Sequence, residues 1–479
     1  MDIVRGMPDR RASTGAWRAE FGAMLALAWP LALTQFGQLL IHSTEVLLLG
    51  RLSPEKLASA TLAWSLFQPA FMVAIGVVQA TAPLIAQARG ARDLRRVRRA
   101  VRQGLWVSIS LFLPLALLLW HARPLYVALG QDSALLDDTM TYLRVVLWSL
   151  PFGAGFIVLR CFVSAFGRTR AILVITGLAV LFNLALSYAL IFGHFGLPRL
   201  EVLGAGLGAL ASWALMFLAL LAYCLRHRVF RRFTLLGRFW IPDWQSFFEI
   251  WRLGLPIGGA LLMETSIFAA STLMMGQLGA VDLAAHQVTL QIAATSFMVP
   301  LGIGIAATIR IGIAVGRRDA DGVRLAGWSA VLMGFLFMAA MALLFWLKGE
   351  LLVGIFFDPD TPEARPSLAL ALAFLHIAAW FQLFDALQTI GIAALRGLRD
   401  TTIPMWLAGL GYWGVGLPAT LILGFQTPLA GRGIWIGLAM ALGAVAIAMT
   451  LRFHFLTRGL RLQARLDRLP GMAGATRPL

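Results

Sequence analysis

The chain has 479 residues, of which 59% are hydrophobic and 13% are charged, and its mean hydropathy is +0.80. These values are too apolar for a soluble globular protein and are typical of a polytopic helical membrane protein. The formal net charge of +17 does not indicate nucleic-acid binding, because the arginines lie in the short gaps between apolar runs.

Twelve apolar runs are long enough to cross a bilayer core of about 30 Å as α-helices. They predict an all-α polytopic membrane protein with twelve transmembrane helices. The predicted spans are 23–49, 57–86, 102–121, 138–166, 171–193, 203–225, 252–276, 283–309, 325–347, 368–395, 402–424 and 433–455.

Basic residues are distributed unevenly between these spans. The gaps after the second, sixth and eighth spans and the C-terminal tail each carry four to seven arginines, whereas each gap after an odd-numbered span carries at most two basic residues. Cytoplasmic loops of membrane proteins carry an excess of Lys and Arg. We therefore expect a multi-pass protein of the cell (inner) membrane with both termini in the cytoplasm.

The first span carries a stripe of polar side chains. Gln35, Gln38, His42 and Glu45 follow one another at steps of three, four and three residues, which places them on one helical face. Further polar residues inside N-terminal spans are Gln68, Gln79 and Asn183. Such side chains either join helices, at ~0.6 kcal/mol each, or line a substrate cavity, and the sequence leaves both interpretations open.

The seventh span contains a single acid near its middle. Glu264 lies within the apolar run 253–276, close to the expected membrane midplane. A carboxylate at that depth costs roughly 2.5–3.5 kcal/mol and more often marks an ion or substrate path than a packing contact. In the tenth span Gln382, Asp385 and Gln388 follow at three-residue steps, and the cost of burying Asp385 again favours a functional role.

The chain contains an internal repeat. Adding 226 to the residue number maps 30–93 onto 256–319 without a gap, and a shift near 232 then sets Phe152 on Phe384 and Thr169 on Thr401. The matched pairs include Pro30 with Pro256, Gly50 with Gly276, Gly76 with Gly302, Gly90 with Gly316 and Asp93 with Asp319. We therefore predict two six-helix lobes related by pseudo-two-fold symmetry, with the binding site between them.

The repeat and the charge distribution together predict the domain organisation. The N-lobe, with the first six helices, covers residues 1–225, and a basic cytoplasmic linker covers 226–250. The C-lobe, with the last six helices and the cytoplasmic tail, covers 251–479.

Three stretches carry a resemblance to a known family. They are LAWPLALTQFGQLLIHSTEVLLLGR at 27–51, LPIGGALLMETSIFAASTLMMGQLGAVDLAAHQV at 255–288 and FQLFDALQTIGIAALRGLRDTTIP at 381–404. Over nearly its whole length the chain resembles the multidrug and toxic compound extrusion (MATE) transporters, and their NorM-like branch in particular. The acid in the seventh helix and the Asp in the tenth are fairly specific, since the DinF-like branch lacks this pair.

The resemblance implies roles for individual residues. Glu264 and Asp385 are expected to form a cation site in the C-lobe and to be the metal ligands if Na⁺ is the coupling ion. Glu45 occupies the place of an N-lobe aspartate implicated in coupling, with Asn183 beside it. Phe381 stands where sodium-binding relatives have a tyrosine, which removes a hydroxyl ligand and favours H⁺ over Na⁺.

We therefore expect a secondary active antiporter that exports organic, cationic, amphipathic compounds in exchange for H⁺ or Na⁺. The protein is expected to act as a monomer in the lipid bilayer, without a bound cofactor and without a nucleic-acid partner. The substrate-cavity candidates are Gln35, Gln38, His42, Gln68, Asn183, Phe381, Gln382 and Gln388.

Two alternatives change the function. A lipid-linked oligosaccharide flippase of the same superfamily would need a more cationic cavity, whereas the spans of this chain carry acids. An intramembrane enzyme is disfavoured, because no HExxH, GxSxG or paired metal-ligand motif occurs within the spans. Cys161 and Cys224 both fall inside predicted helices and indicate neither a disulfide nor a metal site.

Overall fold

A computed structural model describes residues 14–237, 239–357, 365–459, 462–463 and 466. Arg238 of the predicted linker and the tail residues Arg461, Arg465 and Arg468 lie outside these ranges. Within them, every regular element is helical. The α-helices are Thr14–Leu52, Pro54–Gln79, Thr81–Gly90, Leu94–Trp120, Arg123–Ala128, Ser133–Val146, Ser149–Ala165, Thr169–Phe192, Glu201–Arg226, Arg228–Arg231, Trp244–Leu278, Ala280–Gly316, Ala320–Gly354, Arg365–Gly397, Thr402–Gly409, Leu417–Phe425 and Gly431–Thr457.

Among the described residues, twelve helical segments are long and apolar enough to cross a membrane, which confirms the predicted number of spans and the fold class. The eleventh span, Thr402–Phe425, contains a π-helical stretch at Leu410–Gly416. Helices extend beyond the apolar runs that predicted them, and the seventh begins at Trp244, inside the segment predicted as the linker. The reason is that a helix satisfies its own backbone hydrogen bonds outside the hydrocarbon core as well as within it.

The repeat reappears in the helix bounds. At the offset of 226, the second span, Pro54–Gly90, corresponds end for end to the eighth, Ala280–Gly316. Asp93 and Asp319, also matched at this offset, cap the third and ninth spans. Each accepts a hydrogen bond from the backbone N–H three residues later, at 2.9 and 2.8 Å. An N-cap of this kind contributes about 1 kcal/mol.

The second and eighth spans cross where the two halves of the repeat meet. A Cβ at Gly90 would lie 2.2 Å from the carbonyl oxygen of Ile313 and 3.0 Å from the Cα of Gly316, which is its own equivalent. A Cβ at Gly312 would likewise lie 2.7 Å from the side chain of Ala86, its equivalent. Contacts between equivalent residues place this crossing on the pseudo-two-fold axis.

Away from the axis, the same contact occurs twice. A Cβ at Gly76 would come within 2.3 Å of the Cα of Gly258, and a Cβ at Gly302 within 2.7 Å of the Cα of Ala32. The offset of 226 converts the first pair into the second. The first and second spans therefore pack against the eighth and seventh through small residues, which allow the close backbone approach typical of membrane helices.

Hydrogen bonds between the lobes lie at the end of the molecule that carries the arginine-rich loops. Arg310 Nε donates to Glu20 Oε1 at 2.8 Å. Gln87 Nε2 donates to the backbone carbonyl of Gly397 at 3.0 Å. These contacts join the ends of the first, second, eighth and tenth spans at that side of the protein.

Burial along the central helices shows the same asymmetry. In the eighth span, residues 302–316 are buried almost without interruption, whereas 280–296 contain many exposed and half-buried positions. The second span repeats this pattern, with 76–88 buried and 54–75 only partly so. The lobes are therefore closed against each other at the arginine-rich end, and their opposite halves are covered on fewer sides.

Gly76→Ala and Gly302→Ala are each expected to destabilise this closed contact, because the added Cβ meets backbone atoms that cannot move aside without shifting a helix. Overpacking of this kind costs about 1–3 kcal/mol. Thermal unfolding of the purified variants in detergent should show lower melting temperatures. Gly177→Ala is the matched control, since a Cβ there meets nothing within 4 Å. Equal melting temperatures in all three variants would contradict the expectation.

Candidate functional site

Glu45 lies buried inside the N-lobe, with 3% of its surface exposed. Tyr142 of the fourth span donates its hydroxyl to Glu45 Oε2 at 3.1 Å. Asn183 of the fifth span also lies within interaction range of this carboxylate. The structure therefore brings together Glu45 and Asn183, which the sequence analysis names as site residues. It adds Tyr142, which the sequence analysis does not name.

This N-lobe cluster is short of one hydrogen-bond donor. Glu45 Oε1 and Asn183 Oδ1 are both buried and have no partner within the described part of the chain. The Asn183 amide nitrogen donates its two hydrogens to Ser212 Oγ at 3.1 Å and to Ser187 Oγ at 3.5 Å. A buried acceptor without a donor costs about 1–3 kcal/mol. A protonated carboxyl can donate as well as accept, so a proton on Glu45 would supply the missing donor.

The other residues of the first-span stripe have separate surroundings. Gln35 accepts a hydrogen bond from Arg160 Nη1 at 2.5 Å. The His42 ring stacks on Trp64, with the ring centroids 4.2 Å apart. Gln38 Nε2 is buried and has no hydrogen-bond partner among the residues described. The predicted stripe therefore does not form one continuous cluster.

The two acids of the C-lobe lie together. Gln388 Nε2 donates to Glu264 Oε1 at 2.8 Å and to Asp385 Oδ1 at 3.1 Å. Asp385 is 6% exposed and Gln388 is fully buried, whereas Glu264 is half-buried. Glu264 comes from the seventh span, and the other two residues lie one turn apart in the tenth. One amide group therefore bridges two carboxylates from different helices.

This C-lobe site is also short of donors. The Gln388 amide nitrogen carries two hydrogens but faces three acceptors, the two carboxylates and the Thr389 hydroxyl at 3.2 Å. Within the described ranges, Gln388 is the one hydrogen-bond donor to Glu264 or Asp385. Two negative charges in one apolar site disfavour double ionisation. The arrangement is suited to holding one additional proton or cation.

Tyr412 completes this network from the eleventh span. Its hydroxyl donates to Gln388 Oε1 at 2.5 Å, and its side chain is fully buried. No sequence pattern singled it out. Tyrosine is rare in this chain, with five residues, but that signal does not separate Tyr412 from Tyr188 and Tyr223, which also lie within predicted spans.

Phe381 and Gln382 line the neighbouring turn of the tenth span. The Phe381 ring packs against Trp435 and Phe268, at centroid distances of 5.5 and 6.1 Å. Gln382 Oε1 accepts a hydrogen bond from Ser296 at 2.9 Å, and its Nε2 is buried without a partner among the described residues. Position 381 therefore contributes an aromatic surface and no oxygen ligand to the site.

Arg160 and Arg396 place positive charge within the helical bundle. Arg160 is 3% exposed, and Arg396 is half-buried. Arg396 Nη1 donates to Gln79 Oε1 at 2.5 Å across the two lobes, and its charge acts on Glu264. The sequence signal for both was a charge inside or at the edge of an apolar run.

Gln68, one of the cavity candidates, is half-buried in the second span.

No cluster of three or more His, Cys, Asp or Glu side chains suited to a metal ion occurs in the part of the chain that the structure describes. Cys161 and Cys224 are buried free thiols.

Known proteins match this chain along most of its length. The MatE family model matches residues 30–189 and 256–422, once in each half of the repeat. The "Probable multidrug resistance protein NorM" of Brucella suis is 44% identical over 440 residues, which are 91% of this chain and 93% of that protein. The protein of the same description from Mesorhizobium japonicum is 44% identical over 446 residues, or 92% and 95% of the two chains.

The fold has solved counterparts. The crystal structure of the eukaryotic MATE transporter AtDTX14 superposes with a TM-score of 0.83 and covers 94% of this chain and 99% of that one, at 20% sequence identity. At that identity the likeness shows the fold alone. The family model, however, matches well over half of the residues, and the bacterial relatives are similar from end to end. The chain therefore belongs to the MATE family of multi-pass membrane transporters.

Proposed function

We propose that this protein is a secondary active antiporter that exports organic, cationic, amphipathic compounds in exchange for H⁺ or Na⁺, with H⁺ favoured. The relatives described as probable multidrug resistance proteins support the export of small molecules. The observation that carries the proposal is the shared amide of the C-lobe. Glu264 and Asp385 both take their hydrogen bond from Gln388 Nε2, so one neutral amide is shared by two acids whose charge it does not neutralise.

Competition at this acid pair explains how exchange is coupled. A cationic substrate that enters between the lobes lowers the repulsion between Glu264 and Asp385, and so does a proton. The two therefore compete, and the resulting coupling free energy acts equally in both directions. If the loaded site reorients across the membrane and the empty, doubly charged site does not, competition becomes antiport.

Glu45 offers a second proton-binding position. Its buried Oε1 and the Asn183 Oδ1 both lack a donor, which a proton would supply. The ring stack of His42 and Trp64 lies in the same lobe and adds an aromatic surface of the kind that attracts organic cations. We assign Glu45 to coupling, and His42, Gln38 and the other polar residues of the stripe to the substrate cavity.

The orientation of the Gln388 amide favours protons over sodium. Its N–H groups donate to Glu264 Oε1 and Asp385 Oδ1, which makes these two oxygens less available as ligands of a metal ion. Sodium needs several oxygen ligands, and Phe381 supplies none beside them. A proton needs a single carboxylate oxygen. Glu264 and Asp385 would nevertheless be the ligands of any sodium ion bound in this lobe.

The orientation in the membrane follows from the basic loops. By the positive-inside rule, the arginine-rich end faces the cytoplasm, with both termini, in the cell (inner) membrane. Because the lobes are closed at that end, this conformation presents its cavity to the outside. The protein acts as a monomer in this scheme, since each chain carries both lobes and both acid clusters.

The alternatives have less support. A flippase for lipid-linked oligosaccharides would need cationic groups toward its anionic cargo, whereas Glu264, Asp385 and Glu45 are the ionisable groups of the two clusters. The family consists of transporters rather than enzymes, so a catalytic site is not required to explain these acids.

Glu264→Gln and Asp385→Asn are expected to abolish gradient-driven efflux while the protein still inserts and folds. The amide keeps the shape and removes a buried charge, so folding should survive. Efflux of a fluorescent organic cation from proteoliposomes, normalised to folded protein, measures the effect. Glu350→Gln, at an exposed helix end, is the matched control and should transport normally. Normal efflux in both acid variants, with reduced thermal stability, would assign the acids a packing role instead.

The two possible coupling ions, H⁺ and Na⁺, can be distinguished by imposing one gradient at a time. We expect a pH gradient at constant sodium to drive efflux, and a sodium gradient at constant pH to drive little. Phe381→Tyr is expected to add sodium sensitivity by restoring a hydroxyl near the acids, whereas Phe335→Tyr, at an exposed position, should not. Efflux driven by sodium alone in the unmodified protein would contradict proton coupling.

The topology is testable with a phosphatase that is active only outside the cytoplasm. Fused after Arg468, it is expected to stay inactive, because the C-terminal tail is cytoplasmic. Inserted at Gly196, in the turn between the fifth and sixth spans, it is expected to be active. The reverse result at either position would overturn the assigned orientation.

A further inference from the structure

The eleventh span changes its winding beside the C-lobe site. Residues Leu410–Gly416 form a π-helical stretch, a feature that often occurs at functional sites. Gly416 lies close to the twelfth span, where a Cβ would come within 2.5 Å of the Ala441 side chain. Tyr412 points to the interior and is fully buried, whereas Trp413 is 42% exposed. The stretch therefore delivers a single hydroxyl into the helical bundle.

Tyr412 reaches the acid pair through Gln388. Its hydroxyl donates to Gln388 Oε1 at 2.5 Å, and the Nε2 at the other end of the amide faces Glu264 and Asp385. An amide carries donors at one end and an acceptor at the other. Holding the oxygen therefore also determines which end the carboxylates meet.

We propose that Tyr412 is a positioning residue that holds the Gln388 amide with its NH₂ group toward the acid pair, and so favours release of the proton from that pair. The inference deepens the proposed function and rests on it, since it concerns the same exchange site. An N–H donor stabilises an ionised carboxylate, whereas a carbonyl oxygen stabilises a protonated one. Without the hydroxyl, the amide is free to turn over and present Oε1 to a protonated Glu264 or Asp385.

Other charged groups do not replace this effect. Arg396 acts on Glu264 through its charge, and that influence is the same whether or not Tyr412 carries a hydroxyl. His286 of the eighth span lies 3.2 Å from the Thr272 hydroxyl and is engaged there. The twelfth span presents apolar side chains to the π-helical stretch. Among the described residues, the Tyr412 hydroxyl is the donor that holds the amide by its oxygen.

Tyr412→Phe removes the hydroxyl and keeps the ring. Because proton and substrate compete, the test is binding of radiolabelled tetraphenylphosphonium to the purified full-length protein across a pH series. Binding of this organic cation should rise as the acids lose their proton. We expect the midpoint in Tyr412→Phe to move about one pH unit higher, because the amide no longer favours the ionised pair. An unshifted midpoint would overturn the inference.

Tyr126→Phe is the matched control. Tyr126 is also buried, and its hydroxyl donates to the backbone carbonyl of Leu62 at 3.0 Å, outside both acid clusters. The variant loses the same group and one hydrogen bond. Its binding midpoint is expected to stay at the unmodified value. A shift equal to that of Tyr412→Phe would show that the effect is general destabilisation and would overturn the inference.

A second variant keeps the test decisive if Tyr412→Phe does not fold. Gln388→Met removes the amide, so the binding midpoint should again move to higher pH. Adding Tyr412→Phe to Gln388→Met should then cause no further shift, since the hydroxyl acts only through the amide. The inference would be overturned if Gln388→Met left the binding midpoint unchanged. It would also be overturned if the double variant shifted the midpoint by the sum of the two single shifts.

Failure of the proposed function would look different. In that case the unmodified protein would bind tetraphenylphosphonium equally at every pH, and Glu264→Gln would leave binding unchanged. If binding by the unmodified protein depends on pH but Tyr412→Phe has the same midpoint as Tyr126→Phe, only the role of Tyr412 is excluded. The proposed antiport function would then remain.

Discussion

Two carboxylates in an apolar interior depend on one amide, and this shortage of donors is the constraint on which the site depends. Glu264 and Asp385 share Gln388 Nε2. Acids removed from water need compensation, and a fully paired acid, such as Asp400 with Arg452 at 2.7 Å, has no reason to take up another ion. The C-lobe pair is compensated only in part. The proposed exchange of a proton for a cation rests on that incomplete compensation.

The repeat relates the helices of the two lobes, but it does not relate the acidic residues of the two clusters. At the offset of 226, Glu264 corresponds to Gln38 and Glu45 corresponds to Ser271, and at 232 Asp385 corresponds to Gly153. The interlobe glycine contacts obey the symmetry because each half packs against the other. The acids depart from it, because a buried charge costs roughly 2.5–3.5 kcal/mol and packing symmetry gives no reason to retain it in both lobes. The two lobes therefore share one architecture and carry different chemistry.

The spans, the repeat and the acids could be predicted because each leaves a local or periodic signal. An acid within an apolar run is conspicuous, as Glu264 and Asp385 were, and Arg160 carried the same signal. The groups that complete the clusters could not be predicted in this way. Tyr142 lies 97 residues from Glu45, and Tyr412 lies 24 from Gln388 on another helix. A tyrosine in an apolar run costs little, and a π-helical stretch leaves no periodic pattern, so only the folded chain brings these hydroxyls to the site.

The seventh span contributes one residue to the contact between the lobes and another to the acid pair. Gly258, in the interlobe contact, and Glu264 lie six residues apart, or about 9 Å along the helix. Opening the arginine-rich end must separate Gly258 from Gly76, and in the proposed exchange the charge of Glu264 changes on the same helix. Arg396 interacts with both places. It donates a hydrogen bond to Gln79 of the other lobe, and its charge acts on Glu264. Pro256 lies inside this helix and removes a backbone donor, which makes it the position where the helix bends most easily. The interlobe contact at Gly258 and the acid Glu264 are therefore held less than two turns apart on one helix.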